Sequence, residues 1–118
     1  MTTDDTPRGT IDISPTAIAT LAGHAVLQTY GVVGMASPNL ASDLVASLTR
    51  DPHRGIQVHQ DDSHIIIDVY VIIEYGTRIA SVANSLISSV RYTVEQSIGV
   101  SVGQVNVHVQ GLRVSRTE

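Results

Sequence analysis

Residues 75–112 read YGTRIASVANSLISSVRYTVEQSIGVSVGQVNVHVQGL, and this stretch decides the fold. Ile79, Val82, Ala83, Leu86, Val90, Val94 and Ile98 recur at steps of three and four, which lines them up on one stripe of a helix. Arg78, Ser81, Ser85, Ser88, Arg91 and Glu95 fall mainly on the other side. Gly76 breaks the preceding segment, and Thr77 is the expected N-cap. Gly99 stands where the chain leaves the helix through positive φ, a conformation open to glycine because it has no Cβ. Val105, Val107 and Val109 then alternate with Asn106, His108 and Gln110, the period of a half-buried strand. A helix with a single apolar stripe needs a sheet beneath it, so the rest of the chain is expected to supply one.

Upstream, His64 to Tyr75 is the strongest strand signal. Its odd positions, Ile65, Ile67, Val69, Val71, Ile73 and Tyr75, are all apolar. Its even positions, Ile66, Asp68, Tyr70, Ile72 and Glu74, are mixed, whereas a solvated face would read polar throughout. This mixture points either to a second layer, from this chain or another subunit, or to singly tolerated surface residues. Ile56 and Val58 open the preceding strand, which closes at the turn Asp61-Asp62-Ser63. Nearer the N-terminus, Gly9 to Ile13 suggests a short strand, and Ser14-Pro15 a capped helix start. Ile18, Leu21, Ala22, Ala25 and Val26 form that helix's inner stripe, which ends at Tyr30-Gly31. Val32 to Met35 is a short strand. Ser37-Pro38 opens a short second helix carrying Leu40, Leu44, Val45 and Leu48, followed by the polar turn Arg50 to Gly55. After Val109 the alternation slips at Gly111 and resumes with Leu112 and Val114, as a glycine bulge would cause. The expected fold class is α+β: a two-layer sandwich with a mixed β-sheet of about four to five strands and two main helices on one face, in the order β-α-β-(α)-β-β-α-β. Residues 1–8 and 115–118 are expected to be tails flanking a single domain at 9–114.

The chain of 118 residues fits one domain. With 42% apolar residues, no Phe, no Trp and four Tyr, its core must be aliphatic. The formal charge is −4, and all seven basic residues are Arg, scattered at 8, 50, 54, 78, 91, 113 and 116. No basic run can track a phosphate backbone. The absence of Cys excludes disulfides and thiolate chemistry and is compatible with a reducing cytoplasm. No apolar run approaches the ~20 residues of a membrane span.

His53, His59 and His64 lie near Asp51, Asp61 and Asp62, but a zinc site needs three or four converging ligands. A strand would place only His59 and Asp61 on one side, so the segment reads as a polar surface turn. No metal and no cofactor are expected, and His24 and His108 read as partly exposed polar-face residues. Gly31-Val-Val-Gly34 matches a bare GxxG, without the basic neighbours a backbone clamp requires. No GxSxG elbow or GK[ST] occurs. Asp68 and Glu74 are about 20 Å apart along a strand, beyond the roughly 5–10 Å of paired carboxylates. No catalytic residue is expected.

Three stretches together resemble a known family: GTIDISPTAIATLAGHAVLQTYGVVGMAS, IIIDVYVIIEYGTRIASVANSL and VRYTVEQSIGVSVGQVNVHVQGLRV. The GxIxIS opening, the GVVGM turn, the strand ending EYG and the closing IG-x3-VG-x-VNVxVxG are similar to the alkaline shock protein family of Gram-positive bacteria, in its short, YloU-like branch. The resemblance implies a cytoplasmic envelope-stress or general-stress protein without catalytic residues. It also implies self-association beneath the membrane with an integral-membrane anchor protein as partner. For this branch it implies, as the alternative, a regulatory role beside a dihydroxyacetone-kinase-like, fatty-acid-kinase enzyme of lipid metabolism. The expected function is thus a self-associating scaffold or protein-interaction module. The expected interaction face carries Ile66, Asp68, Tyr70, Ile72 and Glu74, or lies along the edge beside them. Asp68 and Glu74 are expected to pair with Arg113 or Arg116 of a second subunit.

Overall fold

A computed structural model describes residues 12–37, 48–49, 55–61 and 64–114. Its elements are α1 (Pro15–Gln28), β1 (Val32–Ala36), β2 (Leu48–Thr49), β3 (Ile56–Asp61), β4 (His64–Glu74), α2 (Ile79–Ile98) and β5 (Gln104–Arg113). Ser14 caps α1: its hydroxyl accepts from the Ala17 N–H at 3.2 Å, and Pro15 follows where no N–H is needed. Gly31 turns the chain into β1 at φ 96°, and a Cβ there would stand 2.8 Å from Val82 Cγ2. Both the turn and the close approach of α2 require glycine at that position.

β4 is the central strand. β3 pairs antiparallel with its first half, from Asp61 opposite His64 to Ile56 opposite Val69. β1 pairs antiparallel with its second half, Met35 opposite Val71 and Val32 opposite Ile73. These two strands thus lie end to end along one side of β4, with β2 outside β1. On the other side β5 runs parallel to β4, from Gln104 opposite Ile66 to Arg113 opposite Glu74. Parallel neighbours need a crossover, and α2 provides it. Val71 faces Val109 while Ile72 faces Gly111, so Gln110 is the extra residue of the expected bulge.

The core lies on one face of this sheet. Ile65, Ile67, Val69, Val71 and Ile73 of β4 join one buried cluster with Ile18, Ala22 and Val26 of α1 and Val82, Leu86, Val90 and Val94 of α2. Among the described residues both helices therefore cover the same face, giving an α+β two-layer fold with a mixed sheet of five strands. Each large aliphatic side chain fully buried there contributes about 1.5–3 kcal/mol. Alanines at 19, 22 and 25 keep α1 thin enough to sit against both α2 and the sheet.

Several boundaries depart from the sequence expectations. α2 begins at Ile79 with Arg78 at the N-cap, which makes no side-chain cap bond. The Thr77 hydroxyl instead donates to Glu74 O at 2.7 Å, tying off the end of β4. Ile79 is exposed and borders a cavity of about 290 Å³ together with Glu74, Tyr75 and Leu112. Asp12 and Ile13 are not in a strand, and 9–11 lie outside the described residues. Of the expected second helix, 40–47 lie outside the described residues. Leu48 is in β2, its backbone extended and paired with Ala36. The expected tails, 1–8 and 115–118, also lie outside them. At the far end of α2, Gly99 adopts φ 76° as its C-cap. Arg91 Nη1 donates to Val102 O, and the Val102 N–H donates to Glu95 Oε2 at 2.8 Å. This clamp fixes the start of β5.

Candidate functional site

The opposite face of β4 presents Ile66, Asp68, Tyr70, Ile72 and Glu74, side by side as the alternation requires. The sheet register adds their neighbours. His59 and Gln57 of β3 lie opposite Ile66 and Asp68. Gln104, Asn106 and His108 of β5 lie opposite Ile66, Asp68 and Tyr70. Asp68 is the hub. Its Oδ1 accepts from Asn106 Nδ2 at 3.0 Å and stands 3.0 Å from His108 Nε2. Its Oδ2 is 3.5 Å from His59 Nε2. Gln104 Nε2 donates to Asn106 Oδ1 at 2.8 Å, holding that amide in place. The Tyr70 ring stacks on the His108 ring, with centroids 4.5 Å apart and planes 12° apart. The Tyr70 hydroxyl is 3.4 Å from Gln57 Oε1, in position to donate.

The Asp68 side chain is 15% exposed. Burial alone would raise its pKa. Hydrogen bonds from His108 and Asn106, aided by the charges of His108 and His59, outweigh that and hold it below the ordinary carboxylate range. The carboxylate is thus fixed as an ion whose two oxygens both have partners. That arrangement suits a structural hub better than a proton-transferring group.

The two imidazoles reach different oxygens from strands on opposite sides of β4. Among the described residues, no three His, Cys, Asp or Glu side chains are arranged to hold a metal ion. His59 meets Asp68 across the sheet. His53, Asp51 and Asp62 lie outside the described residues.

The five expected face residues do share a face, but they are not equivalent. Ile72, between Gly34 of β1 and Gly111 of β5, is only 4% exposed. Ile66, Asp68, Tyr70 and Glu74 are half-buried. Asp68 does not wait for a second subunit's arginine, since its own chain supplies its partners. Arg113 lies opposite Glu74 within the same sheet, and Arg116 lies outside the described residues. Sequence reasoning missed Asn106, His108, His59 and Gln57 as members of the site. A signal was present in the polar even positions of β5, but only the strand register shows which of them reaches Asp68.

The described residues form a small α+β module, with two helices closing one side of a mixed sheet and a hydrogen-bonded polar and aromatic platform on the other. The chain belongs to the alkaline shock protein 23 family, described as having a cell envelope-related function, whose family model matches residues 3–114. It is 46% identical over 112 residues to the uncharacterized protein YloU of Bacillus subtilis (strain 168), covering 93% of each chain. It is 35% identical over 112 residues to the uncharacterized protein Spy1614 of Streptococcus pyogenes serotype M6, again covering 93% of each. Among solved structures, a zinc form of the MamM CTD aligns with a TM-score of 0.49 at 11% identity, covering 86% of this chain and 87% of that one. No helix among the described residues is long and apolar enough to cross a membrane.

Proposed function

We propose that this protein is a non-enzymatic interaction module of the cell envelope and general stress response. In this reading it works in the cytoplasm, self-associates through the face bearing Ile66, Asp68, Tyr70, Ile72 and Glu74, and is brought to the inner face of the membrane by an anchor partner. The observation that carries the proposal is the platform itself. Asp68, Asn106 and His108 are locked to one another, and Tyr70 is stacked in place, on the face opposite the helix-covered core. A pre-ordered surface with a rigid aromatic group and satisfied polar atoms suits docking, because little side-chain freedom remains to be lost on association. The family's cell envelope-related function supports the place of action.

Because Ile72 is buried, a charge there would test folding rather than docking. The informative change is Ile66→Asp with Tyr70→Asp, read by light scattering for mass and circular dichroism for fold. At low micromolar concentration the expected outcome is a folded monomer from an oligomeric wild type. A wild type that stays monomeric at high concentration, or a double variant that keeps the oligomeric mass, would contradict the assignment. Capture from the native host with wild type and double variant identifies the partner that the face selects. A membrane-anchor protein fits the scaffold role, and a soluble dihydroxyacetone-kinase-like enzyme fits the regulatory alternative.

A further inference from the structure

We propose that the outer edge of β5 is a second self-association surface, occupied by β5 of another copy of this chain, paired antiparallel about a two-fold axis at Val107. This surface adjoins the platform through Asn106 and His108 of β5, but its own bonds are made by the strand backbone. Backbone parity shows which peptide groups it offers. Tyr70 N–H bonds to Gly55 O and Glu74 N–H to Gly31 O, so even residues of β4 direct their backbone toward β3 and β1. Tyr75 N–H bonds to Arg113 O, so the odd residues direct theirs toward β5. The β5 residues opposite even positions, Gln104, Asn106 and His108, therefore bond inward. Val105, Val107 and Val109 aim their N–H and C=O outward. No strand among the described residues pairs with that edge. From Gln104 to Leu112 it carries neither a charge nor a proline. Edges that must stay unpaired commonly carry one of these.

The edge selects a copy of itself. Centring the two-fold at Val107 sets Val105 opposite Val109 of the second copy, so all three outward peptides find partners. The faces match without adjustment: valines meet valines on the helix side, and Asn106 meets His108 on the other. Beyond the bulge, the exposed Leu112 and Val114 of one copy are carried toward the exposed Val100 of the other. Arg113, the charged residue of β5, falls at the far ends, so two chains of net charge −4 meet along a neutral seam. A single strand pair is at the small end of interface sizes, so this dimer forms at high protein concentration and exchanges.

The chain has no cysteine, so Val107→Cys introduces a lone thiol. On the axis, a hydrogen-bonded antiparallel pair places the two Cα atoms about 5.5 Å apart, within disulfide range. Under mild oxidation the full-length V107C chain should cross-link at least about tenfold faster than Ser97→Cys on the exposed side of α2, because pairing raises the effective thiol concentration. In the unmodified chain, hydrogen exchange at Val105, Val107 and Val109 should slow as concentration rises, and Val109→Lys should remove that effect. Equal cross-linking rates, or concentration-independent exchange at the three valines while the mass rises, would overturn the proposal. In the Ile66→Asp, Tyr70→Asp background V107C should still cross-link. Loss of cross-linking there would overturn an edge that acts independently of the platform.

Discussion

Ile67 and Ile66 are chain neighbours that leave β4 in opposite directions. Ile67 enters a face where Ile65, Val69, Val71 and Ile73 are also buried, sealed by two helices of the same chain. Ile66 enters a face whose hub, Asp68, is held by Asn106 and His108, which lie 38 and 40 residues away in sequence. The first face is satisfied by area: any well-packed aliphatic residue of the right size contributes. The second is satisfied by register, since a one-residue slip of β5 would turn Asn106 and His108 to the other face and leave the carboxylate without them. Stability therefore resides mainly on the helix side, and the proposed means of recognising a partner on the other.

The contrast breaks most sharply at Ile67. Ile67→Ala should destabilise by about 2–5 kcal/mol, because it leaves a cavity in a packed core. Ile66→Ala should cost about 1 kcal/mol, as at an ordinary half-buried position. Urea unfolding of the two variants measures the gap, and equal losses would mean that both faces are core. Asp68→Asn should cost about 1–3 kcal/mol, since it removes hydrogen bonds made to a charged group. It should also change the acid response. The folded pKa of Asp68 lies below its unfolded value, so its contribution is fully present above the unfolded carboxylate range and is lost as pH falls through the folded value. Wild-type stability should therefore drop below about pH 4 more steeply than that of Asp68→Asn. Smallest is Gly99→Ala, away from both faces. No atom lies within 4 Å of the added Cβ, so the loss of about 1 kcal/mol expected from the left-handed backbone should appear with no change in association.

The helix side was legible because its information is local. Steps of three and four in α2 and steps of two in β4 place their apolar rows without knowledge of any partner. The bulge at Gly111 was legible for the same reason, as a break in one strand's own alternation. The platform was only half legible. The mixed even face of β4 showed in the sequence, but its apolar members looked like a continuous patch with Asp68 beside it. The register makes Asp68 the centre and gives it His108 and His59, residues that by themselves read as ordinary polar positions. Nor could local pattern show that β1 and β3 share one side of β4 end to end, because that depends on how the segment between them is routed. Thr77 illustrates a subtler miss: it has the right chemistry for an N-cap, but its hydroxyl closes the strand before it.

Whether copies of the chain meet at the platform around Asp68 is tested most directly by side-chain NMR of the unmodified protein, followed as concentration rises from low micromolar to millimolar. Progressive shifts are expected for the Ile66 methyl and the Tyr70 ring on β4, with the buried methyls of Ile67 and Leu86 unmoved. A rise in mass that leaves the Ile66 and Tyr70 signals in place would contradict the platform as the meeting surface.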